Sequence, residues 1–289
     1  MENWFSENQS EGVKFSIKTK DHIYSGKSNF QKIDIYDTEG FGRVLVIDDC
    51  IMCTEKDEFI YHEMITHVPM AVNPEIKNVL IIGGGDGGAV RELIRYKTIG
   101  NIDVVEIDEL VVKVSRQYLN FTADSFKDER VRIFIDDGVN FVKKSEKKYD
   151  LIIIDSTDPI GPGEGLFTLD FYKNCYRLLR EDGILINQNE SPYYINNAKE
   201  MIRAHQKQKS VFNISLLYQY MIPTYGSGYW FFGFSSKKLH PVNDIKEKGW
   251  RELNLKTRYY NIDVHKAAFV LPNYVKESLE RGEYYFTQK

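Results

Sequence analysis

The stretch Val79-Leu80-Ile81-Ile82-Gly83-Gly84-Gly85-Asp86-Gly87-Gly88 decides the fold: an unbroken apolar run, a glycine-rich turn, then a helical pattern. Continuous apolar runs of this length suit strands buried on both faces, as in a parallel sheet covered by helices. The alternation continues downstream. Strands are predicted at Asp103 to Ile107, Val131 to Ile135, Leu151 to Ile154 and Gly183 to Asn187, with helices near residues 89–97, 109–120, 138–145 and 168–180. A further helix is predicted over Ile195 to Gln208. Asn213 to Tyr220 and Tyr229 to Ser235, joined by Pro223-Thr224-Tyr225-Gly226-Ser227-Gly228, read as a hairpin-like pair at the end of the sheet. Upstream the period changes. Val13 to Lys18, Phe30 to Tyr36 and Arg43 to Ile47 read as short strands separated by turn-rich pieces, and Glu55 to Val72 as a helix with Ile60, Met64 and Val68 on one face and Glu58, His62 and Thr66 on another. The expected fold class is α/β, with a small N-terminal antiparallel β domain over residues 1–55 and a mostly parallel, helix-flanked sheet domain over 56–289.

A length of 289 residues suffices for one large core with an appendage, or for two modest domains. Lys and Arg (38) nearly balance Asp and Glu (42), and the basic residues form no stripe, so no nucleic-acid partner is expected, while a small cationic ligand is compatible. Met1 to Gly12 lack the basic start and apolar run of a secretory leader, and no run approaches the ~18 consecutive apolar residues of a membrane span. Three cysteines leave one unpaired in any disulfide scheme; a reducing compartment, the cytoplasm, is the expectation. Cys50 and Cys53 form a C-x-x-C that fits a redox pair or half a zinc site. No second pair or histidine cluster completes such a site, and on an extended segment these two side chains point to opposite faces, so packing is the main reading and no metal is expected.

Glycine allows the backbone to turn tightly and approach a ligand closely. Gly83, Gly84, Gly85, Gly87 and Gly88 formally fit G-x-G-x-x-G, and Glu106 and Asp108 follow about 20 residues later, where a carboxylate can grip ribose hydroxyls. A nicotinamide dehydrogenase and an S-adenosylmethionine-dependent methyltransferase both fit the glycines alone, as does a nucleoside-binding module without activity. Asp86 separates these readings. A dinucleotide pyrophosphate, or the carboxylate tail of S-adenosylmethionine, would face a like charge, which at ~4 Å and an effective dielectric near 20 costs about 4 kcal/mol. A tail carrying only an ammonium would be attracted. The bland alternative is an Asp that solvates a tight turn.

Tyr61-His62-Glu63-Met64, the glycine loop, Asp155-Ser156-Thr157-Asp158-Pro159-Ile160-Gly161-Pro162, Pro223-Thr224-Tyr225 and Asp263-Val264-His265-Lys266-Ala267-Ala268-Phe269 together resemble the ordered signature segments of the spermidine synthase (polyamine aminopropyltransferase) family. The resemblance implies a Rossmann-like, methyltransferase-type nucleoside-binding catalytic domain. It also implies transfer of an aminopropyl group from decarboxylated S-adenosylmethionine, a co-substrate and not a bound cofactor, to putrescine or another amine such as cadaverine or agmatine. A homo-oligomer, dimer or tetramer, is expected with it.

The reaction gives the acids a use. An alkyl ammonium with a pKa of about 10.4 must lose a proton before its nitrogen can attack, at a cost of roughly 4.6 kcal/mol at pH 7. A buried carboxylate meets that demand. By resemblance Asp155 is this base and Asp158 helps hold the amine; the alternative for the pair is a solvated turn beside Pro159 and Gly161. The resemblance also makes Gln31 a nucleoside contact and Glu106 the ribose ligand, turns Asp137, Gly138 and Pro162 toward the adenine, and places Tyr61, His62 and Tyr225 at the amine. Their alternatives are a solvated helix residue for His62 and packing for the tyrosines. Gly226 departs from the proline that often follows this tyrosine in the family. Glu190 either binds the distal ammonium or caps the next helix, and His265 carries no assigned chemistry.

Overall fold

The computed structural model describes residues 3–157 and 161–288. The first five strands, β1 (Asn3–Ser10), β2 (Val13–Lys27), β3 (Lys32–Thr38), β4 (Gly42–Ile47) and β5 (Cys50–Thr54), form an antiparallel meander in chain order. β1 is absent from the sequence-based reading. Only Phe5, Glu7 and Gln9 of its inward positions are half-buried, and two of those three are polar, so the period of 2 carries almost no hydrophobic signal. One face of this meander, with Ile33, Ile35, Leu45 and Ile47, packs on Val111, Val114 and Leu119. The opposite face gathers Ile17, Val44, Val46 and Ile51 with the half-buried Phe5, Phe15, Tyr36 and Phe41.

Helix α1 (Glu58–Val72) leads into a seven-stranded sheet. Its strands are β6 (Asn78–Gly83), β7 (Asn101–Glu106), β8 (Val131–Ile135), β9 (Tyr149–Asp155), β10 (Leu179–Gln188), β11 (Ile214–Met221) and β12 (Tyr229–Ser236). The order is β11-β12-β10-β9-β6-β7-β8, with β10-β9-β6-β7-β8 parallel and the β11–β12 pair joined antiparallel to β10. This is the predicted parallel sheet with a hairpin at its end. The intervening helices are α2 (Gly88–Leu93), α3 (Glu109–Tyr118), α4 (Asn120–Ala123), α5 (Gly138–Lys144), α6 (Leu169–Leu178) and α7 (Ile195–Val211), and a C-terminal segment adds α8 (Glu247–Glu252), α9 (Ile262–Ala268) and α10 (Asn273–Arg281). Val79, Leu80, Ile81, Leu151, Ile152 and Ile153 are wholly buried, because helices cover both faces of the central strands.

The chain leaves β6 toward β7 and β8 on one side and returns to β9 on the other, so a crevice opens outside the carboxyl ends of β6 and β9. Gly83 and Asp155 are register partners there. Gly83 has φ +83°, and a side chain on it would meet the Asp155 carbonyl oxygen at 2.1 Å, so the close approach of these two strand ends requires glycine. Helix α1 differs from the expectation in one respect. Its polar face is buried too, including Glu58, His62, Glu63, Thr66 and His67, because the C-terminal segment lies over it. Glu63 accepts the backbone N–H groups of Arg258, Tyr259 and Tyr260 and so fastens that segment down. Among the described residues no helix is long and apolar enough to cross a membrane.

Candidate active site

The glycine loop, the ends of β6, β7 and β9, the start of α5, α1, the loop before β12 and the edge of the N-terminal meander enclose one cavity. Gln31, Tyr61, His62, Gly83, Gly84, Gly85, Asp86, Glu106, Asp137, Gly138, Asp155 and Tyr225 all line it. Gly87 and Gly88 stand behind: Gly87, at φ +84°, precedes α2, and Gly88 packs against His62 so closely that a Cβ would lie 2.1 Å from its Cε1. Asp158 lies outside the described residues, as does the side chain of Pro162.

On the β7–β8 side of the crevice, the Glu106 carboxyl is buried, and burial pushes its pKa up to about 7 against the pull of the Asp108 N–H it accepts at 3.0 Å. Asp108 does not join it. Its carboxylate caps α3 through the Leu110 N–H and takes the Ser28 hydroxyl at 2.7 Å. That same hydroxyl oxygen accepts the Gln31 N–H, so Asp108 fixes the turn that presents Gln31. Asp137 lines the cavity while its carboxylate caps α5, taking the Val139 N–H and the Asn140 amide, both at 2.8 Å.

On the β9 side, Tyr61 donates its hydroxyl to Asp155 Oδ1 at 2.6 Å. Asp155 Oδ2 is shut from solvent and has no hydrogen-bond partner among the described residues. Burial, and after it the negative charge of Asp86, raises the Asp155 pKa to about 6. Around this carboxyl the Tyr61 ring meets Phe232 at 4.8 Å and Tyr225 at 6.1 Å, and Tyr225 in turn meets Trp230 at 5.4 Å. Such an aromatic wall attracts cations. The Tyr225 hydroxyl is tied to the Met52 carbonyl at 2.6 Å, and its neighbour Thr224 is held by Asp57, which accepts both the Thr224 hydroxyl (2.8 Å) and N–H (3.2 Å).

Asp86 Oδ1 accepts the Gly88 N–H at 2.6 Å and lies 3.5 Å from His62 Nε2. Burial alone would raise the Asp86 pKa; the charge and hydrogen bond of His62, the Gly88 N–H and the Arg91 charge together outweigh it and hold the carboxyl below its usual range. His62 is buried, at 2% exposure, and is no solvated helix residue.

Sequence reasoning passed over Glu7, Met52, Gln188 and Trp230, which also line the cavity. No sequence signal announced Glu7, because the alternation of β1 is one of half-buried and exposed residues and not of apolar and polar ones. Glu190 does not line the cavity and accepts the Asn197 side-chain amide from α7. His265 is bound between the Tyr260 hydroxyl and the Pro241 carbonyl, deep in the core. Cys53 is buried and its thiol is pushed well up by burial, the opposite of an activated thiolate. Among the described residues no group of three or more His, Cys, Asp or Glu side chains could hold a metal ion.

An acid-lined cavity at the strand ends, with a carboxyl poised near neutrality and an aromatic wall, suits a cationic amine beside a nucleoside. Residues 58–247 match the spermine/spermidine synthase domain, and residues 3–55 match the spermidine synthase tetramerisation domain. The chain belongs to the spermine/spermidine synthase family. Curated relatives of the family include the polyamine aminopropyltransferases of Alkaliphilus oremlandii, 58% identical over 98% of this chain and 100% of that one, and of Clostridioides difficile, 60% identical over 97% and 99%. A spermidine synthase crystallised in complex with the transition state analogue AdoDATO superposes with a TM-score of 0.94 at 41% identity, covering 96% of this chain and 95% of that one. The Thermotoga maritima spermidine synthase superposes at 0.92, also at 41% identity, covering 96% and 94%.

Proposed function

We propose that this chain transfers the aminopropyl group of decarboxylated S-adenosylmethionine to putrescine, giving spermidine and methylthioadenosine by direct displacement, with Asp155 as the general base. The observation that carries the reading is Asp155 itself: Oδ1 is held by Tyr61 while the partnerless Oδ2 is buried in the cavity wall, with a pKa of about 6. A base with that pKa is ionised at neutral pH yet strong enough to take a proton from an amine whose own pKa burial has lowered. The amine nitrogen attacks the propyl carbon on sulfur, the C–S bond breaks, and its electrons neutralise the sulfonium. The one proton released is the one the acceptor ammonium gives to Asp155 before it attacks, and the product leaves as a secondary ammonium. No covalent enzyme intermediate is needed, because the sulfonium already activates the carbon.

In this reading Gln31, Glu106, Asp137, Gly138 and Pro162 hold the nucleoside over the glycine loop. Asp86 takes the donor's ammonium, and Tyr61, His62, Asp158 and Tyr225 surround the acceptor. Residues 1–55 form an N-terminal β-strand domain beside the catalytic domain of 56–289, and its match to a tetramerisation domain supports self-association as a dimer or tetramer; the cytoplasm is the expected compartment. Asp155→Asn tests the mechanism: donor binding by calorimetry is retained while methylthioadenosine formation falls by about 10²-fold or more. Equal turnover in variant and parent sinks the role of Asp155, and no methylthioadenosine from the parent with any of several amines sinks the function.

A further inference from the structure

The His62 ring stands between two carboxylates, with Nδ1 at 2.7 Å from Glu58 Oε2 and Nε2 at 3.5 Å from Asp86 Oδ1. An imidazole that faces a carboxylate oxygen from each nitrogen carries a proton on both. The charged and titratable groups around it come from six directions. Glu58 and Tyr61 lie on α1 itself, and Asp86 on the glycine loop. Asp155 stands at the end of β9, and the Cys53 thiol on β5 lies within the field of Asp86 and Glu58. Arg91 of α2 and Arg258 of the C-terminal segment both bind Glu58, at 2.7 and 3.2 Å.

This arrangement sits uneasily with Asp86 as an open anion waiting for an ammonium, because its charge is already matched by a buried cation. We propose that His62 is a stand-in cation, which holds Asp86 while the site is empty and gives up its Nε2 proton to solvent when the ammonium of the donor arrives. The proposal rests on the assignment of Asp86 to the donor tail. The exchange balances: one ammonium enters, one proton leaves, and the net charge beside Asp86 is unchanged. Glu58, anchored by the two arginines, keeps the Nδ1 proton, so the ring that remains is neutral with its Nε2 lone pair open to accept an N–H from the ligand. Glu58 is thereby a positioning residue that fixes the tautomer.

Burial disfavours the imidazolium, but Asp86 and Glu58 prevail and set the His62 pKa at about 10 in the empty site. A second cation about 5 Å away at an effective dielectric near 20 favours deprotonation by roughly three hundredfold. His62 is then largely neutral at mildly alkaline pH. Intact S-adenosylmethionine brings a carboxylate with its ammonium, and methylthioadenosine brings neither, so neither dislodges the proton.

Calorimetry of decarboxylated S-adenosylmethionine binding at pH 8.5, in buffers of different ionisation enthalpy, tests this. Glu106 and Asp155, with pKa values of about 7 and 6, are already ionised at that pH and release nothing. The expected result is release of roughly half to one proton with the decarboxylated donor, and near zero with S-adenosylmethionine or methylthioadenosine. His62→Gln should bind with no buffer dependence. Glu58→Gln, which leaves Nδ1 a weaker partner, should move the release to lower pH, and it serves if His62→Gln does not fold. Binding whose heat is independent of buffer in the parent, or release that persists in His62→Gln, overturns the proposal alone. Absence of any binding of the decarboxylated donor overturns the donor assignment and the proposal with it.

Discussion

Tyr61→Phe isolates the hydrogen bond that tunes the proposed base. The change removes one oxygen, the donor to Asp155 Oδ1 at 2.6 Å, and keeps the ring that packs on Phe232 and Tyr220 at 4.8 and 5.9 Å. A hydrogen bond to a charged group is worth about 1.5–3 kcal/mol, and one pH unit corresponds to 1.36 kcal/mol. The bond favours the carboxylate, so its loss raises the Asp155 pKa from about 6 by roughly one to two pH units. The proton acceptor must be ionised, so activity is lost as pH falls through this value, and in the variant it is lost at higher pH. At pH 7 the ionised fraction of a base with pKa about 6 is roughly nine-tenths, and an increase of 1.5 units leaves about a quarter, a fall of about fourfold. At pH 9 variant and parent converge. The assay is kcat/KM for methylthioadenosine release from pH 5.5 to 9. An acid limb in the same place for both proteins refutes the link between Tyr61, Asp155 and the rate, as does a uniform loss at every pH.

Three further substitutions probe the surroundings. Asp86→Asn should weaken the decarboxylated donor and improve tolerance of S-adenosylmethionine, read as stronger inhibition by the latter; unchanged inhibition would refute the role of this charge. Asp57→Ala leaves the buried N–H and hydroxyl of Thr224 without their acceptor, so the Tyr225 loop shifts and KM for the amine rises about tenfold or more while donor affinity holds. A matched loss of donor affinity would show a global defect instead. Gly88→Ala drives a Cβ to 2.1 Å from a ring that is pinned between two carboxylates; a destabilisation of about 1–3 kcal/mol should lower the urea midpoint, and an unchanged midpoint would show that His62 can move.

The sheet is legible in the sequence because Val79 to Ile82 and Leu151 to Ile154 must be apolar on both sides, and the crevice is legible because Gly83 must be glycine where it meets Asp155. Three features are hidden for different reasons. β1 places Glu7 on the cavity, but a strand that alternates half-buried polar residues with exposed ones gives no hydrophobic period. Asp108 and Asp137 stand where acids can grip a ligand, yet their carboxylates are taken up by the helices that begin beside them, and spacing does not distinguish a cap from a ligand. Arg258 reaches Glu58 from 200 residues away, and no local pattern announces such a contact.

The last of these changes the meaning of Asp86. As an isolated carboxylate in a glycine loop, Asp86 would repel the tail of S-adenosylmethionine by the full like-charge cost, about 4 kcal/mol at ~4 Å. With His62 at 3.5 Å the pair is close to neutral, and most of that repulsion is gone from the empty site. Discrimination then depends on what each ligand does to the imidazolium. A tail that carries only positive charge displaces the proton and gains Asp86 as its partner, while a zwitterionic tail leaves the proton in place and finds Asp86 occupied. Glu58 fits this account as the fixed partner of the ring. Held by Arg91 and Arg258 together, it keeps one proton on the ring in both states, so that the ring can lose the other without leaving its place.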